Sequence, residues 1–312
     1  METIFAKIAQ ETTKFDLGDE EPLYPKSLDS IGAVKDEQYG PAERNRLDVF
    51  FPRDDKTKGK PVVLFVHGGG FLSGDKGWTN VGWSFARRGF VAVLANYRLV
   101  PNIFHNIAVP KYGQGSPDKV ILLGHSSGGA HIAMSLYAAG DPKRTPKALI
   151  FLPVAGVFYL SVPFWFDRKK PVRQKSFAII WIGRGRSLGG ILQPLSPLGL
   201  FQSLSKGSPL LDPERLPAYI GSVKWEIKET ADATATFFNA HRERSIPQGT
   251  LPTFHVQEKH NHISNVFSIG TADSAQGERL LEFMQSCVAN IDQRIQRTIS
   301  VISSLAQNVE HY

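Results

Sequence analysis

A buried strand that runs directly into Gly124-His-Ser126-Ser-Gly128 constrains this chain more than any other feature. The run Val120-Ile-Leu-Leu123 is continuously apolar, as in a strand buried on both faces, and the residues from Ala130 onwards have helical spacing. Gly-x-Ser-x-Gly between a strand and a helix is typical of a sharp turn that leaves a serine hydroxyl exposed, because larger neighbours would collide there. The pattern predicts that Ser126 is a nucleophile on such a turn.

A second glycine-rich loop, His67-Gly-Gly-Gly70, follows another apolar strand at 61–66. Attack of a serine on a carbonyl group creates an oxyanion that needs nearby N–H donors, and glycines let the substrate oxygen approach the backbone. We therefore predict that the backbone N–H groups of Gly69, Gly70 and Ser127 form an oxyanion hole, with His67 shaping the loop. An ordinary tight turn is the alternative interpretation of these glycines.

The rest of the chain alternates apolar strands with helical patterns, which predicts an α/β fold with a mostly parallel sheet flanked by helices. Met1 to Pro25 reads as an irregular or partly helical arm, and 36–52 as a hairpin. Strands are predicted at 47–51, 61–66, 91–96, 148–152, 216–223 and 253–257, and helices at 78–88, at 226–242 and around Leu280 to Val288. We expect one domain over 1–312, with an N-terminal arm at 1–35 and a proline-rich, irregular, cap-like insertion at 161–211.

The general base should follow the nucleophile in the chain, in a loop after a late strand. His260 and His262 lie in such a loop after 253–257, whereas His255 lies inside the strand. We favour His262 as the base over His260. Metal binding by His260 and His262 is a weaker alternative, because no cluster of carboxylates or cysteines accompanies them.

The acid that orients the histidine should lie just after the strand at 216–223. Glu226 is the nearest carboxylate, and we name it as the candidate acid. An equally good interpretation is that Glu226 only complements the positive end of the helix that begins there. Asp232 is a more remote alternative, because it lies well into that helix.

Composition agrees with a soluble enzyme, and acyl transfer by a serine implies no cofactor. The chain has 36 Lys and Arg against 29 Asp and Glu, and the resulting net charge of +7 over 312 residues is no nucleic-acid signature. The basic stretch at 168–186 favours a solvated loop over a clamp for an anionic substrate. A single cysteine, Cys287, fits a reducing compartment and is expected to be inert. The N-terminus lacks the apolar region of a secretory signal, and no apolar stretch is long enough to cross a bilayer, so we expect a cytoplasmic protein.

The motifs together resemble the α/β-hydrolase fold-3 group of hormone-sensitive-lipase-like esterases, and within it the fungal arylformamidase (kynurenine formamidase) type. The resemblance covers roughly 39–285 and rests on Tyr39-Gly-Pro, Arg46-Leu-Asp-Val-Phe, His67-Gly-Gly-Gly-Phe, Ala95-Asn-Tyr-Arg-Leu-Val-Pro101, Ser116-Pro-Asp-Lys-Val, Gly124-His-Ser-Ser-Gly-Gly-Ala-His and His260-Asn-His-Ile-Ser. It implies that Ser126 is the family nucleophile and His262 the family base. The implied substrates are small carboxylic esters or N-formyl aryl amides.

Two features depart from the family pattern. The expected Gly-x-x-Asp after the late strand is Gly221-Ser-Val-Lys224 here, so a lysine replaces the family acid. The segment 97–118 before the nucleophile strand is also short for a crossover with a full helix, which normally needs a dozen or more mostly helical residues. Either a helix has been lost or the gene model lacks a fragment.

These observations rank three hypotheses of function. The first is a cytoplasmic serine hydrolase that cleaves a small carboxylic ester, thioester or N-formyl aryl amide without metal, cofactor or nucleic-acid partner. The fungal resemblance implies a role in secondary metabolism. The second is a catalytically weakened binding protein with the same fold, suggested by Lys224 and the short crossover. A membrane-surface lipase ranks last, because the apolar side chains around 162–166 are not part of a long amphipathic helix. The sequence makes no prediction of the oligomeric state.

Overall fold

An eight-stranded sheet forms the centre of the protein. The computed structural model describes residues 29–71, 73–97, 112–140, 154–166 and 196–309. Its strands are β1 (Ile31–Gln38), β2 (Arg46–Pro52), β3 (Lys60–Val66), β4 (Val91–Ala95), β5 (Gly115–His125), β6 (Val154–Leu160), β7 (Ala218–Trp225) and β8 (Thr253–Asn261). Their order across the sheet is β1-β2-β4-β3-β5-β6-β7-β8. Strands β3 to β8 pair in parallel, whereas the β1–β2 and β2–β4 pairs are antiparallel.

Helices cover both faces of this sheet. Within the described residues they are α1 (Val81–Ala86), α2 (Ser127–Leu136), α3 (Pro197–Gln202), α4 (Lys228–Arg244), α5 (Ser264–Phe267) and α6 (Ala275–Val309). Apolar side chains of α2, α3 and α4 belong to one core cluster, and those of α1, α5 and α6 to another. The predicted α/β class, a mostly parallel sheet between two helical layers, is confirmed.

The alternation of side chains along β3 shows how the sheet divides these two cores. Val62, Leu64 and Val66 face the cluster formed with α2, α3 and α4, while Val63 and Phe65 face the opposite cluster. All five are at most 2% exposed. Successive side chains of a strand point to opposite faces, so a continuously apolar strand is required where both faces are buried.

An aromatic cluster joins α3 and α4 to the sheet. The rings of Phe164 and Phe237 stack with centroids 3.8 Å apart and an interplanar angle of 2°. Phe201 of α3 lies 5.1 Å from Phe237, and Tyr159 of β6 lies 5.2 Å from Phe164. Because Phe164 and Phe201 are fully buried, both described ends of the predicted insertion at 161–211 belong to the core. Residues 167–195 of that insertion lie outside the described residues.

Several predicted element bounds differ from the structure. Strand β1 begins at Ile31, so the hairpin starts earlier than predicted and includes the end of the predicted arm at 1–35. The strand beside β5 is Val154–Leu160, which the sequence analysis missed, and the predicted strand at 148–152 lies outside the described residues. The predicted helix at 78–88 is only Val81–Ala86, and 197–202, predicted irregular, is helix α3. Most of the short crossover, 98–111, lies outside the described residues.

Several titratable side chains are buried in the two cores. Burial lowers the pKa of His125 to about 3, with a further lowering from the nearby His262. It lowers the pKa of His131 and of His241 to about 4. Cys287 of α6 is fully buried, and burial raises the pKa of its thiol to about 12. The three histidines are therefore neutral in the folded protein near pH 7, and the thiol is protonated.

The aromatic cluster generates a stability prediction. Replacing fully buried Phe237 by alanine should lower the free energy of unfolding by about 3–5 kcal/mol, because the cavity cannot close around the stacked Phe164 ring. Phe254 of β8 is 41% exposed and provides a matched control. Urea denaturation followed by tryptophan fluorescence measures both. Equal losses for Phe237→Ala and Phe254→Ala would contradict the proposed importance of this cluster.

The buried histidines predict acid sensitivity. The unfolded chain protonates each of them near pH 6.5, but the folded chain does so only near pH 3 to 4, so the unfolded state binds more protons between these values. The contribution of each histidine to the free energy of unfolding is therefore fully present above pH 6.5. It is lost as the pH falls towards 4, by up to about 1.4 kcal/mol per pH unit for each histidine. His241→Phe should make this decline shallower in urea titrations at several pH values. An unchanged slope would show that His241 is already protonated in the folded state.

Candidate active site

Ser126 lies on a tight turn between β5 and α2. Its backbone has φ 51° and ψ −125°, which are unusual for a residue with a side chain, and its N–H donates to the carbonyl oxygen of Leu160 at 2.9 Å. A Cβ on Gly128 would lie 2.2 Å from the carbonyl oxygen of Val66, and one on Gly124 would lie 2.4 Å from the Cα of Gly129. These glycines are needed because the turn brings α2 directly against β3 and β5.

His262 lies in the loop after β8 and faces the serine. Its Nε2 is 2.9 Å from Ser126 Oγ. The side chain of Asn261 accepts hydrogen bonds from the N–H groups of Ile263 and Ser264, at 3.0 and 2.9 Å, which fixes the backbone on either side of His262. Sequence reasoning preferred His262 to His260, and the structure places His262 beside Ser126.

The other two histidines of this region point elsewhere. The Nδ1 of His260 lies 3.2 Å from Ser264 Oγ, and its Nε2 lies 3.4 Å from Asp273. His255 of β8 contacts Gln257 at 3.2 Å. Within the described chain, no group of three or more histidines, cysteines or carboxylates could hold a metal ion.

Glu226, which directly follows β7, completes a hydrogen-bonded chain. Its Oε1 accepts from His262 Nδ1 at 2.7 Å and from the N–H of Ile227 at 2.9 Å. Burial raises the pKa of Glu226, but His262, Ser161 and the Ile227 N–H outweigh this effect and hold it below its ordinary value. The carboxylate is therefore ionised beside His262, and helix α4 begins only at Lys228.

Lys224, which stands where the resemblance leads one to expect the acid, pairs with a residue other than His262. Lys224 Nζ forms an ion pair with Glu258 at 2.9 Å, and both side chains are more than half exposed. Strand β7 pairs with β8 as far as Trp225, so the first buried carboxylate after the strand is Glu226. Asp232, the remote alternative, forms an exposed ion pair with Lys228 at 2.8 Å.

The His67-Gly-Gly-Gly70 loop passes directly beside the serine. A Cβ on Gly68 would lie 3.2 Å from Ser126 Cβ. Gly69 has φ 129° and Gly70 φ 62°, both in the region that favours glycine, and a Cβ on Gly69 would lie 2.0 Å from the carbonyl oxygen of Ser73. The N–H and the hydroxyl of Ser73 donate to the carbonyl oxygen of Gly69, each at 3.0 Å, which closes the loop.

Ser127 supplies the first residue of α2, on the other side of the nucleophile. Amide groups in the first turn of a helix have no partner within the helix, and the helix dipole makes this end positive. The N–H of Ser127 and the loop at Gly69 and Gly70 thus lie on segments that flank Ser126. This arrangement can stabilise negative charge that develops on an oxygen beside the serine.

His125 connects the base to the nucleophile strand, a role that the sequence analysis missed. Its Nε2 donates to the carbonyl oxygen of His262 at 2.7 Å, because a carbonyl can only accept. A Cβ on Gly68 would lie 2.7 Å from its Nδ1, so the same ring also contacts the glycine loop. The only sequence signal for this role is its position immediately before Ser126.

Several aromatic rings pack against residues at the two ends of the glycine loop. The rings of Phe71 and Phe166 are in edge contact at 5.7 Å, and Phe71 contacts the ring of His131 at 5.1 Å. The Nδ1 of His67 lies 2.6 Å from the carbonyl oxygen of Gly68, and the His67 ring stacks on Tyr97. The predicted role of His67 in shaping the loop agrees with these contacts.

Part of the sequence is similar to known proteins. Residues 47–109 match the family model described as BD-FAE. A probable isoprenylcysteine alpha-carbonyl methylesterase from Oryza sativa subsp. japonica is 39% identical over 112 residues, and the isoprenylcysteine alpha-carbonyl methylesterase of Arabidopsis thaliana is 34% identical over 112 residues. Each match covers 30% of this chain and 25% of the relative, so it spans about a quarter of the length of these curated relatives.

Solved structures are similar over a much larger share of the chain. Esterase B from Lactobacillus rhamnosis has a TM-score of 0.65 at 15% identity and matches 95% of both chains. The butyrate-bound esterase from Thermogutta terrifontis has a TM-score of 0.56 at 20% identity, over 83% of this chain and 94% of that one. At these identities the likeness shows the fold. The comparisons together show that the chain has the α/β-hydrolase fold of these esterases and that part of its sequence is similar to the BD-FAE family model and to plant methylesterases.

Proposed function

We propose that this protein is a serine hydrolase that cleaves small carboxylic esters. The observation that carries the proposal is the continuous hydrogen-bonded chain from Glu226 through His262 to Ser126, with heavy-atom distances of 2.7 and 2.9 Å. A nucleophile, a base in contact with it and a third group that orients the base are the minimum that acyl transfer requires.

The geometry supports the following first step. Ser126 Oγ attacks the carbonyl carbon of the ester while His262 Nε2 accepts the serine proton. Glu226, ionised and bonded to Nδ1, stabilises the imidazolium that forms and holds its tautomer. The oxyanion accepts hydrogen bonds from the backbone N–H groups of Gly69, Gly70 and Ser127. Collapse of the intermediate transfers the proton from His262 to the leaving alcohol and leaves an acyl group on Ser126.

The second step reverses these roles. A water molecule gives its proton to His262 Nε2 and attacks the acyl carbon, and the oxyanion again occupies the same donors. Breakdown of this intermediate releases the carboxylic acid and returns the proton to Ser126 Oγ. All proton transfers use His262, and Glu226 remains ionised throughout. The cycle consumes one water and needs no metal or cofactor.

Ester hydrolysis is the reaction that the relatives favour. The plant relatives are described as methylesterases and the structural neighbours as esterases. A carboxylic ester, with a methyl ester as one candidate, is therefore the proposed substrate. Thioesters and N-formyl aryl amides have the same electrophilic carbonyl and belong in the substrate panel.

A binding protein without turnover is the second candidate, because Lys224 occupies the family acid position. In the structure this lysine forms an exposed ion pair with Glu258, whereas Glu226 contacts His262. The geometry thus offers an acid in place of the missing one. This favours the hydrolase proposal over the binding protein.

Covalent labelling tests the nucleophile. The purified protein should react with a fluorophosphonate probe and hydrolyse p-nitrophenyl acetate, and Ser126→Ala should abolish both, because the alanine variant has no hydroxyl to attack phosphorus or carbon. Peptide mass spectrometry locates the adduct. N-formylkynurenine and an isoprenylcysteine methyl ester, assayed in parallel, distinguish the substrate classes. Labelling that persists in Ser126→Ala would refute the assignment of the nucleophile.

Substitution of Glu226 tests its proposed role in orienting His262 and stabilising the imidazolium. Glu226→Gln should lower kcat by at least about 100-fold, because a neutral amide neither stabilises the imidazolium nor enforces the productive tautomer of His262. Two surface variants serve as controls and should retain wild-type kcat: Lys224→Asp and Asp232→Asn. An increase of activity in Lys224→Asp, or full activity in Glu226→Gln, would show that position 224 and not Glu226 supplies the acid. Thermal melting verifies that each variant is folded.

A further inference from the structure

Tyr97 belongs to the motif Tyr97-Arg-Leu-Val-Pro101, which has no role in the mechanism above, and the other four residues of the motif lie outside the described residues. Tyr97 lies just beyond the end of β4 and is fully buried. Its hydroxyl is 3.1 Å from Ser127 Oγ. Ser127 is the residue whose backbone N–H is the proposed oxyanion donor next to the nucleophile.

The ring of Tyr97 also contacts the loop that carries the other proposed oxyanion donors. It stacks on His67 with centroids 4.6 Å apart and an interplanar angle of 27°. His67 directly precedes the three glycines of the loop. On the helix side, the ring of His131 lies 4.4 Å from that of Tyr97, one turn after Ser127. One buried side chain therefore touches both segments that carry the proposed donors.

We infer that Tyr97 is a positioning residue that fixes the His67-Gly-Gly-Gly70 loop relative to Ser127, so that donors from two segments converge on one oxyanion. The inference rests on the proposed function. The two segments come from different strand ends, β3 and β5, and oxyanion stabilisation requires donors within about 2.7–3.1 Å of one point. A rigid ring between the segments, bonded to one and stacked on the other, supplies this constraint.

The hydrogen bond between the Tyr97 hydroxyl and Ser127 Oγ should persist across the working pH range. Burial raises the pKa of Tyr97 to about 12, so the phenol remains protonated near neutral pH. Tyr97 has no hydrogen bond to Ser126, His262 or Glu226 in the described chain. Loss of its hydroxyl should therefore change transition-state stabilisation without changing the ionisation of the base.

The decisive variant is Tyr97→Phe, which keeps the stacked ring and removes only the bond to Ser127. We expect kcat for p-nitrophenyl acetate to fall about 10- to 100-fold, somewhat less than the loss of a whole oxyanion donor, with KM within about two-fold. The pH profile of kcat/KM should keep its midpoint. Ser127→Ala removes the same bond from the other side, so the double variant should be no slower than the slower single variant.

Tyr137→Phe is the matched control. Tyr137 is also fully buried, and its hydroxyl accepts one hydrogen bond, from Tyr159 at 3.0 Å, in the core cluster formed with α2, α3 and α4. Its removal should lower the melting temperature to a similar extent and leave kcat unchanged. A loss of kcat in both variants would show a general effect of core packing and overturn the positioning role of Tyr97.

Hydrogen exchange separates this inference from the proposed function. Mass spectrometry of peptides covering 66–71 and 124–130 should show faster amide exchange in Tyr97→Phe than in the wild type or in Tyr137→Phe, whether or not the protein turns over an ester. Unchanged exchange together with unchanged kcat overturns the inference. A wild type that does not hydrolyse any ester, but shows the exchange difference in Tyr97→Phe, overturns the proposed function and leaves the structural role of Tyr97 standing.

Discussion

The backbone turn at Ser126 is the constraint on which the rest of the site depends. A residue with a side chain at φ 51° is held there only when its surroundings determine the conformation. The Leu160 carbonyl accepts the Ser126 N–H, and the close approach of α2 to β3 at Gly128 leaves no room for a relaxed turn. The parallel sheet thus presents the serine at the carboxyl ends of its strands, where the loops of β3, β7 and β8 also converge.

Convergence at one sheet edge allows distant residues to form a buried electrostatic unit. Glu226, ionised at the end of β7, and His262, after β8, meet Ser126 after β5. His125 holds the backbone carbonyl of His262 and remains neutral because burial lowers its pKa to about 3. A second charged imidazole 5.2 Å from His262 would oppose the imidazolium that the proposed acyl transfer requires.

Local sequence predicted the parts of the site that obey local rules. Ser126 and the glycine loop are specified by spacing and by the need for small residues at tight turns. Glu226 could be named only as one of two equal interpretations, because its contact with His262 depends on how far β7 extends along β8. The roles of Tyr97 and His125 rest on contacts between residues far apart in the chain, which leave no periodic signal.

The fold shows the same distinction between features with a clear local sequence signal and features without one. Parallel strands β3, β4 and β5 were recognised from their continuous apolar runs. Strand β6 was missed because the apolar run continues from 148 to 160 without a polar residue, so periodicity does not show which part pairs with β5. The prolines at 194 and 197 suggest irregular structure, yet 197–202 form helix α3, because proline is well tolerated at the start of a helix.

A crystal structure of the protein after reaction with an alkyl phosphonate would test the proposed nucleophile and oxyanion hole together, since the adduct has the shape and charge of the acyl-transfer intermediate. We expect a covalent bond from phosphorus to Ser126 Oγ, with the phosphoryl oxygen about 2.7–3.1 Å from the backbone nitrogens of Ser127 and of Gly69 or Gly70. His262 should remain between Ser126 and Glu226. An adduct on another residue would refute Ser126 as the nucleophile, and a phosphoryl oxygen directed away from these nitrogens would refute the proposed oxyanion hole.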